Sequence, residues 1–87
     1  MTTTKDVFDA IETELAYQQR IWGESGANGD GILSIGERIL LVEEYVAKAR
    51  LSWSQESVPE IGALEIMRKI AGIATRCMID HGAIPRD

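Results

Sequence analysis

The stretch Leu33–Trp53, LSIGERILLVEEYVAKARLSW, decides the fold of this chain. Ser34 followed by Glu37 is the pattern of a capping box, in which the serine hydroxyl accepts a hydrogen bond from a free amide of the first turn and the glutamate reaches back to the cap. Apolar residues then recur at alternating helical spacings, which predicts one apolar seam along a helix, formed by Ile35, Ile39, Val42, Val46, Ala49 and Trp53.

Two further helices are predicted on either side of this stretch. The first has its apolar positions at Phe8, Ile11, Leu15 and Trp22 and ends at a connector rich in glycine, residues 23–31. The third begins near Pro59 and carries an apolar stripe wide enough to contact more than one neighbour. We therefore predict an all-α fold, a three-helix single domain over residues 1–87 with helices at about 5–22, 34–53 and 60–80.

Composition restricts the partners and the compartment. A core of 87 residues is thin, so dimerisation or higher oligomerisation is expected to complete it. The net charge of -5 and the lack of a basic cluster argue against binding DNA or RNA. No apolar run is long enough to span a membrane, and the first residues lack the apolar centre of an export signal. Together with the single cysteine, Cys77, these features indicate a cytoplasmic protein.

Residues 26–37, GANGDGILSIGE, can be compared with the twelve-residue calcium loop of an EF-hand. Asn28, Asp30 and Glu37 fall at ligand positions, and Gly31 falls at the position of the sharp turn. Gly26, however, stands where such loops carry their first carboxylate. The alternative is a connector that ends in the capping box of the second helix. Both interpretations remain open on the sequence, with calcium as the minor hypothesis.

Three stretches share sequence patterns with one known family. Residues 14–23, ELAYQQRIWG, resemble its opening pattern E-R-x-Y-Q-x-x-K-W-G, although Leu15 and Ile21 replace the usual Arg and Lys. Residues 40–53, LLVEEYVAKARLSW, look like its acidic second helix. Residues 63–86, ALEIMRKIAGIATRCMIDHGAIPR, resemble its last helix, which ends in Cys-Met-x-x-His-Gly-x-Pro. The family is MazG-like, in its small phage-type form, and the resemblance covers most of the chain.

The resemblance implies an activity and a metal. MazG-like proteins are all-α and typically hydrolyse a nucleoside triphosphate to the monophosphate and pyrophosphate. They use magnesium held by Glu-x-x-Glu on one helix and Glu-x-x-Asp on the next, an oxygen cage suited to that ion. Here Glu44 and Glu65 match the first acid of each pair, but Ala47 and Arg68 stand at the second positions. The resemblance therefore implies a magnesium site with Glu44 and Glu65 as ligands, supported by Glu43 or Glu37.

A nucleotide would also need cations and a stacking surface. Lys48 and Lys69 are expected to face phosphates, with Arg68 as a further cation and Trp22 as an aromatic surface for the base. The competing interpretation is a solvated face, on which Glu44 pairs with Lys48, and Glu65 with Lys69, one turn along each helix. It corresponds to a different function: a non-catalytic MazG-like relative, such as a small phage accessory or inhibitor protein that binds a protein or a nucleotide.

Overall fold

A computed structural model describes residues 1–22 and 32–87 of the chain. These residues form three helices and no strand: α1, Thr4–Trp22; α2, Ile35–Gln55; and α3, Pro59–His81. The predicted all-α, three-helix fold is confirmed, and every helix end lies within two residues of its expected position. None of the described helices is long and apolar enough to cross a membrane. Residues 26–31 of the calcium-loop hypothesis lie outside the described residues.

The capping box at the start of α2 forms as predicted. The amide of Glu37 donates to the hydroxyl oxygen of Ser34 at 3.1 Å, and the amide of Ser34 donates to the Glu37 carboxylate at 2.9 Å. The hydrogen bond from the Ser34 amide holds the pKa of the Glu37 carboxyl below its ordinary value. The carboxylate expected to support a metal is therefore engaged at the helix N-terminus.

Both ends of α3 follow the expected local chemistry. Pro59 occupies the first helical position, where a missing amide costs no intrahelical hydrogen bond. The amide of Gly82 donates to the carbonyl of Met78 at 2.8 Å and ends the helix. Gly82 has a φ of 129°, which a residue with a Cβ rarely adopts.

The central helix is α3. It packs against both α1 and α2, whereas no Cα of α1 lies within 8 Å of a Cα of α2 among the described residues. The third helix therefore contacts both other helices, and α1 approaches it at Gly72 rather than at the apolar stripe. Ile73, near the middle of α3, is the one hydrophobic residue in the described ranges that is fully buried.

The face that α2 turns toward α3 differs from the predicted seam. Four seam residues are exposed, namely Ile35, Ile39, Val46 and Trp53. The buried positions of α2 are Arg38 and Ser52 instead, so the packed face is rotated around the helix. Both polar side chains have a partner, because Arg38 forms an ion pair with Asp80 of α3 at 3.7 Å and the Ser52 hydroxyl donates to the Glu56 carboxylate.

Two glycines of α3 allow the neighbouring helices to come close. A Cβ on Gly72 would lie 2.7 Å from the Glu14 Cγ and 2.8 Å from the Gln18 Nε2 on α1. A Cβ on Gly62 would lie 2.9 Å from the Glu56 carboxylate oxygens and would also collide with the Ser52 hydroxyl. Each neighbour of α3 therefore meets it where the central helix has no side chain.

We expect Gly72→Ala to destabilise the protein although alanine is the better helix former. The intrinsic gain of about 1 kcal/mol is outweighed by an overpacking cost of about 1–3 kcal/mol, since Glu14 and Gln18 are buried and cannot move aside freely. The control is Gly36→Ala, because a Cβ there meets only the Ser34 hydroxyl, at 3.9 Å. Chemical denaturation should show a loss for the first variant and no loss for the second. Equal stabilisation by both would contradict the close approach.

Candidate functional site

The contact between α1 and α3 is built from buried polar side chains. Glu14 and Gln18 are one turn apart on α1 and are both buried. The Gln18 amide donates to the Glu14 carboxylate at 2.8 Å and to the Lys69 carbonyl at 3.3 Å. The other Glu14 oxygen accepts from Arg68 Nε at 3.0 Å. This network fixes the position of α1 along α3, because every buried polar atom in it needs its partner.

A polar cleft opens beside this network, and we call it the α1–α3 cleft. It encloses about 300 Å³ and is lined by Thr13, Glu14, Tyr17, Glu65, Arg68 and Lys69. This volume is at the lower limit of the range for small-molecule sites, about 300–1,000 Å³. The cleft therefore suits a small polar group such as a phosphate chain better than a whole apolar ligand.

Three residues predicted from the sequence meet at this cleft. Glu65, Arg68 and Lys69 follow one another around the same turn of α3 and all line it. Trp22, the expected stacking surface, is half-buried at the end of α1 and does not line the cleft. Tyr17 is the aromatic side chain at the cleft instead, and its ring lies under Arg20 at 5.4 Å from the guanidinium carbon.

The candidate residues on α2 lie apart from the cleft. Glu44 and Lys48 are exposed on α2, and the expected ion pair between them does not form, because the Lys48 ammonium lies over the Tyr45 ring at 4.6 Å. No ion pair joins Glu65 and Lys69 either. Glu43 lines a separate cavity between α2 and α3.

The expected magnesium ligands do not come together as a metal site in the described part of the chain. No three His, Cys, Asp or Glu side chains of residues 1–22 and 32–87 are close enough together to hold a metal ion. Glu65 is the acid at the cleft without an ion pair, whereas the Glu14 carboxylate is engaged by Arg68. The donor set in the cleft therefore does not fit a resident magnesium ion, which needs several oxygen ligands.

The charges in the cleft are unequally buried. The Glu14 side chain is 4% exposed and that of its partner Arg68 is 40% exposed. Arg68 thus compensates a buried carboxylate and keeps part of its guanidinium in solvent. Lys69 forms no ion pair with a described residue. The charge of Lys69, unlike that of Arg68, is therefore not compensated by a carboxylate in contact with it.

A second buried cluster joins α2 to the far end of α3. Asp80 accepts from Arg76 Nε at 3.3 Å and pairs with Arg38 at 3.7 Å. Arg38 Nε is buried with no hydrogen-bond partner among the described residues. The ion pair between Arg38 and Asp80 joins α2 to α3 at this point, and Arg76 shares the same carboxylate.

The roles of Glu14 and Gln18 were not predicted from the sequence. The apolar positions Ile11, Leu15 and Trp22 leave a gap at Gln18, which completes their helical spacing. A polar residue at an otherwise apolar seam position is a usable sign of a buried hydrogen-bond network. Glu14 and Gln18 also belong to the first stretch that resembles the MazG-like family.

Comparisons with known proteins gave no match to a protein-family model, to a curated protein or to a solved structure.

We expect Arg68→Met to destabilise the fold more than Glu14→Gln. Removing Arg68 leaves the Glu14 charge buried without its partner, which costs about 2 kcal/mol. Glu14→Gln keeps the volume and a hydrogen-bonding group and leaves only a partly solvated guanidinium unpaired, so its cost is below about 1 kcal/mol. Urea denaturation of both variants at neutral pH measures the difference. A larger loss for Glu14→Gln would contradict the buried carboxylate.

Proposed function

We propose that this protein is a MazG-like nucleotide-binding protein whose α1–α3 cleft receives the phosphates of a nucleoside triphosphate. The observation that carries the proposal is the meeting of Arg68 and Lys69 with Tyr17 at one polar cleft. Arg20, stacked on that tyrosine, adds a third cation nearby. Glu14 neutralises part of the Arg68 charge, so Lys69 and Arg20 supply most of the positive charge available to an anion.

The roles within the cleft follow from burial and pairing. Lys69 binds the phosphate chain as a point charge, since it forms no ion pair with a carboxylate of the described residues. Arg68 contributes the exposed part of its guanidinium while Glu14 keeps it oriented. The Tyr17 ring supplies a flat surface for a base on the face that Arg20 does not cover. Glu65 lines the same cleft and would contact a magnesium ion that arrives already bound to the triphosphate.

Hydrolysis to a monophosphate and pyrophosphate is the activity that the resemblance implies. The absence of a three-acid cluster in the described residues favours the second candidate function, a non-catalytic relative that binds a nucleotide or a protein as a phage accessory protein. Pyrophosphate release measured with magnesium and each common triphosphate separates the two. Turnover that falls in Glu65→Gln supports the enzyme, whereas binding without turnover supports the non-catalytic relative.

We also propose that the protein acts as a homo-oligomer. A single fully buried hydrophobic residue in the described ranges, Ile73, is a small core for a stable chain of this size.

Lys69→Ala should weaken the binding of a magnesium–nucleoside triphosphate by at least about tenfold, because it removes a charge-assisted contact. The matched control is Lys5→Ala, which removes the same charge from an exposed pair with Asp9 far from the cleft. The measurement is thermal unfolding with titrated nucleotide. A ligand at a hundred times its dissociation constant stabilises the wild-type fold by about 2.7 kcal/mol. Equal binding by both variants would exclude the cleft as the phosphate site.

A further inference from the structure

Apolar residues of both α2 and α3 line an open surface, which we call the α2–α3 groove. Two cavities lie along it, of about 390 and 250 Å³. On α2 its apolar lining recurs at alternating spacings of three and four residues: Ile39, Val42, Val46, Ala49 and Trp53. This is the apolar seam expected from the sequence to pack inward, and the structure leaves it open.

The α3 side of the groove repeats the same spacing. Its lining residues are Ala63, Met67, Ile70, Ala74 and Cys77 at that spacing, together with Met78. Two facing stripes with alternating steps of three and four are the pattern by which helices of a bundle interlock. The groove is therefore shaped to receive further helices.

Several large apolar side chains of the groove are more than half exposed to solvent. Ile39 is 53% exposed, Trp53 59% and Met67 56%. Exposed apolar patches on a protein surface commonly mark sites where a partner binds.

The charges beside the groove complement one another. Glu43 lines one cavity and Arg50 lines the other, two turns further along α2. Neither forms a hydrogen bond or an ion pair with a described residue. They stand about 10 Å apart along the helix, on either side of Val46. A two-fold axis passing near Val46 would place Glu43 of each copy against Arg50 of the other. The same contact then forms twice, as in an isologous interface.

We propose that a second copy of this chain docks into the α2–α3 groove with the two α2 helices antiparallel and the two-fold axis near Val46. Glu43 then pairs with Arg50 of the partner subunit, twice by symmetry, at the edge of a shared apolar core. A parallel arrangement would not bring Glu43 next to Arg50 of the partner subunit, because equal positions then lie at the same level along the two helices. This inference rests on the proposed homo-oligomer, and it does not depend on nucleotide binding.

The experiment measures the dimerisation of the full chain by sedimentation equilibrium over a wide concentration range. The variants are Glu43→Arg, Arg50→Glu and the double exchange of both residues. Each single variant should weaken dimerisation by about tenfold, because two attractive pairs become repulsive. The double exchange should restore it. The matched control is Glu44→Arg, which makes the same charge change one residue away, at a position that lines neither cavity.

Cys77 supplies a second measurement. It is the one cysteine of the sequence, is half-buried and lines the groove. Its reaction with a thiol reagent should slow as protein concentration rises, and it should be faster in Glu43→Arg at equal concentration. Circular dichroism confirms that each variant is helical.

The outcomes separate the steps of the inference. A chain that stays monomeric at every concentration overturns both the homo-oligomer and the docking. A dimer unaffected by Glu43→Arg and Arg50→Glu keeps the homo-oligomer and overturns the antiparallel pairing. Single variants that weaken the dimer without rescue by the double exchange also overturn the pairing. Rescue together with slower Cys77 labelling supports it.

Discussion

The close approach of two helices to the glycines of α3 is the constraint on which this structure depends. Gly72 meets Glu14 and Gln18 of α1, and Gly62 meets the end of α2. At both places the contacting side chains are polar, and their hydrogen bonds replace the apolar contacts of an ordinary core. Because polar side chains fill these contacts, much of the apolar surface of α2 and α3 remains outside. The thin core and the open groove have the same cause.

Local chemistry was predictable from the sequence, and helix packing was only partly so. The capping box, Pro59 at the start of α3 and the helix ends depend on residues a few positions apart, so their patterns can be read directly. The packed face of α2 could not be read in this way. Its buried residue Arg38 depends on Asp80, which is far away in the sequence, and hydrophobic periodicity selects the seam that the structure leaves open.

The candidate site shows the same division. Glu65, Arg68 and Lys69 share one turn of α3, so their helical spacing alone is enough to place them together. Glu14 lines the cleft only because α1 packs against α3. The acids of α2, which the sequence also suggested, do not line it. At about 100° per residue, the cleft residues of α3 lie opposite those of the α2–α3 groove. Opposite faces of one helix would therefore hold a nucleotide and a second copy without competition.

The most direct test of the central position of α3 is native-state hydrogen exchange measured amide by amide. Slowest exchange reports the segment that opens only with the whole fold. The account predicts that the slowest amides lie in α3 around Ile73, with faster exchange in α1, which has a single neighbouring helix among the described residues. Slowest exchange in α1, with α3 no better protected than its neighbours, would contradict an arrangement in which α3 lies between the other two helices.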